Sequence, residues 1–120
     1  MSLTTNLVTI HPYFKLQPDK KSEAEAIVKD FIARTETESA CLFYEFTVNG
    51  DVVFCREGYE GAAGVLAHLE NVGEPLGKML QISELIRLEF HGPAAEIDSL
   101  RGPLGHLNPD FYVLEAAAKR

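Results

Sequence analysis

The chain has 120 residues, 46% of them hydrophobic and 24% charged, which suits one globular domain with a real core. A formal net charge of −7 without any Lys/Arg cluster argues against nucleic acid or an anionic membrane as partner. No apolar run is long enough to cross a bilayer and no leader pattern opens the chain, so a cytoplasmic location is the default expectation. Met1-Ser2-Leu3 is compatible with an expression scar. Cys41 and Cys55 make no disulfide framework. The four histidines lack zinc-ligand spacing, so neither a metal nor a cofactor is expected.

Leu7–Leu16 alternates, with Val8, Ile10 and Phe14 on one face and Thr9, His11, Tyr13 and Lys15 on the other. That is a half-buried strand, in which Pro12 marks a bulge or an unpaired position. Gln17-Pro18-Asp19 turns the chain, and Asp19 or Ser22 is placed to cap a helix. The helix is expected over Lys20–Thr37, with Ala24, Ile27, Val28, Phe31, Ile32 and Thr35 as its apolar stripe.

Cys41–Val48 and Asp51–Tyr59 read as a hairpin around Asn49-Gly50. A two-residue turn there sets Val48 opposite Asp51, Tyr44 opposite Cys55, and Cys41 opposite Gly58. The two cysteines then fall on opposite faces, and Arg56 lies diagonal to Glu45. Leu42, Tyr44, Phe46, Val53, Cys55, Glu57 and Tyr59 share one face; Phe43, Glu45, Thr47, Val52, Phe54 and Arg56 share the other.

Glu60–Asn71 reads as a second helix with Val65, Leu66 and Leu69 inward and Gly73 just past its end. Glu74-Pro75 restarts a short helical turn through Met79. Ile82–His91 is a strand with Ile86, Leu88 and Phe90 on one side. Ala94–Arg101 reads as a short helix, and Phe111–Leu114 as a short fifth strand.

The order β-α-β-β-α-β, with an added helix and strand, is the ferredoxin-like split βαβ arrangement of the α+β class. The expected layout is one domain over 1–120, with a core at about 7–92 and a C-terminal extension over 93–115. The sheet face carrying Phe43, Val52 and Phe54 needs a cover, and a second copy in a two-fold homodimer is the simplest one.

The run Glu38-Ser39-Ala40-Cys41-Leu42-Phe43-Tyr44, then Glu57-Gly58-Tyr59, then Ala67-His68-Leu69, resembles the antibiotic biosynthesis monooxygenase family of dimeric α/β barrels. Ala40 stands where that family often has Gly, and Tyr59 where it often has Trp. The resemblance implies a homodimer with a pocket between each sheet and its helices, and members that oxygenate phenols, anthrones or quinols without a cofactor. Its haem-degrading branch is disfavoured, because this chain has no Trp and Asn71–Glu74 offers no histidine.

A cofactor-free oxygenase needs an apolar pocket, a base and an anion stabiliser. His68 is the expected base, Tyr44 the donor to an oxyanion, and Glu57 the group that orients His68 or holds a water. Leu42, Phe46, Val53, Tyr59, Val65 and Leu69 are the expected lining, with His11 as a further contact. The ligand expected is a small aromatic or quinol-like molecule. Two alternatives stay open: a non-oxidative isomerase or lyase using His68 and Glu57, and a non-catalytic dimeric binding protein. Each polar residue also has a purely structural reading, such as a Glu57–His68 or Glu57–Tyr hydrogen bond. Cys55 reads as a small buried apolar residue rather than a nucleophile.

Overall fold

The computed structural model describes residues 6–119; the suspected expression scar at Met1–Leu3 lies outside the described residues. The elements are β1 (Leu7–Leu16), α1 (Lys21–Thr35), β2 (Cys41–Asn49), β3 (Val52–Glu60), α2 (Gly61–Asn71), α3 (Gly73–Ile82), β4 (Ser83–Gly92), α4 (Ala94–Leu104), a 3₁₀ turn (Gly105–Leu107) and β5 (Asp110–Val113). The sheet runs β2-β3-β1-β4-β5, antiparallel except for the parallel pair β4–β5. Its first four strands have the ferredoxin-like order, with the helices packed on one face. Among the described residues, no helix is long and apolar enough to cross a membrane.

Alternation in β1 buries Val8, Ile10, Pro12, Phe14 and Leu16, and this central strand pairs with both β3 and β4. The unpaired position expected at Pro12 is present on the β3 side, where the pairing passes from Ile10–Glu57 to Tyr13–Phe54 with no partner for His11 or Pro12; Pro12 stays paired with Leu88 of β4. The β1–β4 register shifts between Tyr13 and Phe14, pairing Tyr13 with Arg87 and Phe14 with Leu85. Ile86 is therefore the extra residue of a bulge. It points to solvent, while Leu85 takes the inward place the alternation assigned to Ile86. Helix α1 has no side-chain cap from Asp19 or Ser22. Lys20 is its N-cap, and Asp19 sits before it in the left-handed region at φ 63°. Ile32, at the edge of the expected stripe, is exposed.

The hairpin register differs from the expected one. Asn49 pairs with Val52, so Gly50-Asp51 is the central pair of the turn. Gly50 has φ +60°, and neither Asn49 nor Asp51 has positive φ. A type I′ turn on Asn49-Gly50 requires both central residues at positive φ, whereas glycine at the first central position alone is the type II′ pattern. The shift is by two residues and preserves the faces, but it changes the neighbours. Tyr44 now faces Glu57, Cys55 faces Phe46, and Arg56 sits directly opposite Glu45, 2.9 Å away in an exposed ion pair of little net stability.

A second irregularity lies between Cys41 and Phe43. Cys41 pairs with Tyr59 while Phe43 pairs with Gly58, so Leu42 is extra. The bulge turns Cys41 toward the helices, where it packs against the core around Tyr59. The cysteines thus share a face, contrary to the register argument, and are kept apart by distance along the sheet; both are free.

Val72, at φ −100° and ψ 12°, ends α2 and begins α3, so Gly73 opens α3 instead of terminating α2. The short turn expected at Pro75–Met79 is a full helix reaching Ile82, anchored by buried Met79 and Ile82. Helix α2 lies close on the hairpin: a Cβ at Gly64 would stand 3.1 Å from Ala40 Cβ and 3.2 Å from Tyr59 Cβ. Gly61 supplies φ +71° where β3 turns into α2.

Two apolar clusters fill the space under the helices. One joins Val8, Tyr59, Val65 and Phe90 to Ile97 and Leu100 of α4. The other joins Phe14, Phe31 and Val53 to Val72 and Met79. Helix α4 runs three residues further than expected, with Pro103 in its last turn. It is part of the first cluster, so Ile97→Ala should lower the unfolding free energy of the whole domain by about 2–5 kcal/mol. Urea unfolding checks this: one cooperative transition should move, and a separate low-denaturant step for α4 would count against a shared core.

Candidate functional site

Between Val53 and Tyr59 on β3, the inward positions are Cys55 and Glu57, at the seam of the two clusters. Glu57 is only 4% exposed. Tyr59 donates its hydroxyl to Glu57 Oε1 at 2.7 Å, a contact that follows from their i, i+2 placement on one strand face. Helix α2 carries His68 over the same spot at 2% exposure, with Nε2 3.4 Å from Glu57 Oε1. Its Nδ1 lies 2.9 and 3.1 Å from the two oxygens of Glu38, in the connection between α1 and β2. Asn71, one turn along α2, donates Nδ2 to Glu38 Oε2 and to the Arg34 carbonyl, both at 2.8 Å. The order Glu38–His68–Glu57–Tyr59 is a continuous buried chain. The Tyr44 ring meets His68 edge-on at 5.1 Å.

Electrostatics sets the protonation of this chain. Burial pushes the Glu57 carboxyl up to about 8; hydrogen bonds from Tyr59 and Cys55 oppose the rise, and Glu38 adds to it. Glu57 is therefore a protonated acid at neutral pH. Burial also lowers His68 below its ordinary value, against the pull of Glu38, so the imidazole is neutral. With Nδ1–H donated to Glu38, the Nε2 lone pair faces Glu57. Burial first, then the Glu57 carboxyl, push Tyr44 far up, so it stays a hydroxyl donor. The same two causes raise Cys55, and Cys41 rises to about 11 by burial; neither is an active nucleophile.

The chain of polar groups ends at a cavity of about 90 Å³ between sheet and helices. Glu57, His68 and Tyr44 are its polar wall, the Cys55 thiol lies beside them, and the rest is hydrocarbon and aromatic. Leu76 and Leu80 of α3 and Leu107 of the 3₁₀ turn line it too; Leu80 and Leu107 are exposed.

The three expected catalytic residues are thus brought together, with Glu57 paired to Tyr59 as well as His68. Of the expected lining, Phe46 and Leu69 border the cavity. Val53, Val65 and Tyr59 are buried in the packing behind it. Leu42 is turned out by its bulge to 47% exposure and lines a shallow surface groove instead. His11 lies on the opposite sheet face, beside His91 and Phe54. Glu38 and Asn71 were not picked out as site residues. Glu38 heads the family-like run, and Asn71 lies on the helix stripe one turn after His68, but only the fold brings both to the imidazole. The walls given by β1, β4 and α3 were missed as well, because their apolar residues read simply as core.

No protein-family model and no curated protein sequence matches the chain. Among solved structures, MupZ from Pseudomonas fluorescens is 36% identical, with a TM-score of 0.91 over 96% of this chain and 95% of its own. A proposed antibiotic biosynthesis monooxygenase from Caulobacter crescentus CB15 is 20% identical, with a TM-score of 0.65 over 72% of this chain and 88% of its own. A further antibiotic biosynthesis monooxygenase is 12% identical, with a TM-score of 0.61 over 69% of this chain and 92% of its own. The last two share the fold alone.

The raised pKa of Glu57 has a signed consequence for stability. The protonated form is favoured in the fold, so its contribution is complete below the unfolded carboxyl value of about 4.5 and is lost as pH rises to about 8. Glu57→Gln should therefore gain stability relative to the parent between pH 5 and pH 8. Urea midpoints of the two proteins at both pH values check this; a constant difference would mean Glu57 is ionised in the fold.

Proposed function

As the chain belongs to one family with MupZ and has the antibiotic biosynthesis monooxygenase fold, we propose that it is a small-molecule enzyme working by proton transfer in its apolar cavity. The observation that carries this reading is a buried carboxyl and a buried imidazole 3.4 Å apart at the polar end of that cavity, where burial pushes the carboxyl up toward its protonated form and the imidazole down toward its neutral one. One group is ready to give a proton and the other to take one. A substrate with an acidic C–H or hydroxyl against His68 loses a proton to Nε2, and Glu38 stabilises the imidazolium that forms. Glu57 protonates the substrate elsewhere, and the His68 proton restores Glu57. Tyr44 donates to oxygen that gains charge. The result is an isomerisation or elimination that needs no oxidant.

A second reading is favoured by the fold shared with the monooxygenases. There, His68 removes the hydroxyl proton of a phenol, anthrone or quinol, and the electron-rich anion reduces O₂ itself. We further propose that the open sheet face, which carries Phe43 and Phe54, is covered by a second copy in a homodimer.

The test is turnover of a β,γ-unsaturated ketone, a β-hydroxy ketone and a reduced quinone, each with and without O₂. Anaerobic turnover supports the first reading; consumption of O₂ with the quinol supports the second. In either case His68→Ala and Glu57→Gln should lower kcat by about 10²–10⁴-fold, and Tyr44→Phe by about tenfold. Saturable binding of all three probes without turnover would leave a binding protein. Light scattering at micromolar concentration should give twice the chain mass, and a monomer there removes the dimer.

A further inference from the structure

The open face of the sheet holds a second polar cluster that the cavity does not use. His11 of β1 is the register partner of Glu89 on β4, and Thr9 is the partner of His91. These four side chains therefore form a small rectangle on one face. The His11 and His91 rings are 4.4 Å apart, and His91 Nε2 is 3.0 Å from Glu89 Oε1. One ring nitrogen from each histidine and one Glu89 oxygen all lie within 4.8 Å of one another. Glu89 is only 5% exposed, unusual for a carboxylate outside the core.

We propose that His11, Glu89 and His91 bind one divalent transition-metal cation per chain, of the Zn²⁺ or Ni²⁺ class. Two imidazoles and a carboxylate suit these borderline ions and not Mg²⁺, which prefers oxygen ligands and water. Ligand atoms about 2.1 Å from a tetrahedral ion stand about 3.4 Å apart. The His91–Glu89 spacing of 3.0 Å is already close to that, and from the 4.8 Å limit His11 closes the set with a movement of at most about 1.4 Å.

The surroundings hold the ligands as an outer layer does in metal sites. Thr9 Oγ1 is 2.8 Å from His11 Nε2 and fixes that ring. Tyr112 of β5 stacks on His91 at 4.4 Å and 10°. Arg87 engages Glu89 Oε2, which leaves Oε1 for the ion. Three protein ligands leave a position open. Beside it runs a groove of about 220 Å³ lined by His91, Tyr112, Val113 and Leu114; because the homodimer proposed above covers this same face, the fourth ligand is a water held between the copies or a donor of the second copy.

The experiment uses the full chain without a histidine tag, stripped with EDTA and titrated with ZnCl₂ by calorimetry. One equivalent should bind, and millimolar Mg²⁺ should not compete. His11→Ala and His91→Ala should each weaken binding at least 100-fold, with His106→Ala unchanged. Zinc should raise the melting temperature of the parent and of His106→Ala, and of neither of the other two. If a variant fails to fold, ¹⁵N imidazole shifts in the unmodified chain decide. Zinc should move His11 and His91 and leave His106 in place. Absence of zinc binding, or binding that survives both His11→Ala and His91→Ala, would overturn the site and leave a hydrogen-bonded cluster only.

Discussion

A carboxyl group on the apolar face of a sheet constrains everything around it. Glu57 is almost wholly withdrawn from bulk water, which drives the carboxyl toward its protonated form and makes unpartnered polar atoms near it costly. The fold meets these demands with Tyr59 from the same strand, His68 from α2, and Glu38 and Asn71 behind the imidazole. That requirement dictates how closely α2 approaches the hairpin, which is why Gly64 sits against Ala40 and Tyr59. The same burial that makes Glu57 costly makes it a usable acid near neutral pH. Removing Glu57 therefore alters both the packing layer and the chemistry, whereas Gln keeps the shape and removes the proton.

Much of the fold was legible because one periodicity dominated each segment. Alternation in β1 and the helical stripe of α1 correspond to single elements with one buried side. The errors cluster where backbone irregularities interrupt that logic. Asn49-Gly50 and Gly50-Asp51 are both plausible turn centres, and the φ of Asn49, which is not positive, separates them. Leu42 and Ile86 are each one residue too many in their strands, and a bulge cannot be read from alternation, since it reverses that alternation. Parity survived the two-residue slip of the hairpin. Tyr44, Glu57 and His68 therefore converge as expected, although Tyr44 has a different partner across the strand. Glu38 could not be assigned to His68 from spacing alone, because loop geometry decides which side chain reaches Nδ1.

The extension after β4 bears on the site from a distance. Glu96 of α4 accepts the Ala62 backbone N–H at 2.7 Å, at the N-terminus of α2, where a carboxylate is favoured by the helix dipole. Ile97 and Leu100 bind the same helix to the sheet. The position of His68 thus depends on residues outside the Leu7–Gly92 core. MupZ matches nearly the whole chain, while the more distant neighbours cover about the share that this core comprises.

The parallel strand β5 has a consequence for behaviour at high protein concentration. Parallel neighbours require a crossover, and α4 with the 3₁₀ turn provides it between β4 and β5. The crossover brings Asp110–Val113 alongside β4, whose backbone donors and acceptors would otherwise form a sheet rim. Without that short cover, β4 would offer a ten-residue template for strand addition by another molecule. In the complete fold, the short β5 covers Glu89–Gly92 of that rim, and β2 forms the other edge of the sheet. Pairing with β5 thus leaves only Ser83–Leu88 of the β4 rim available for linear strand addition.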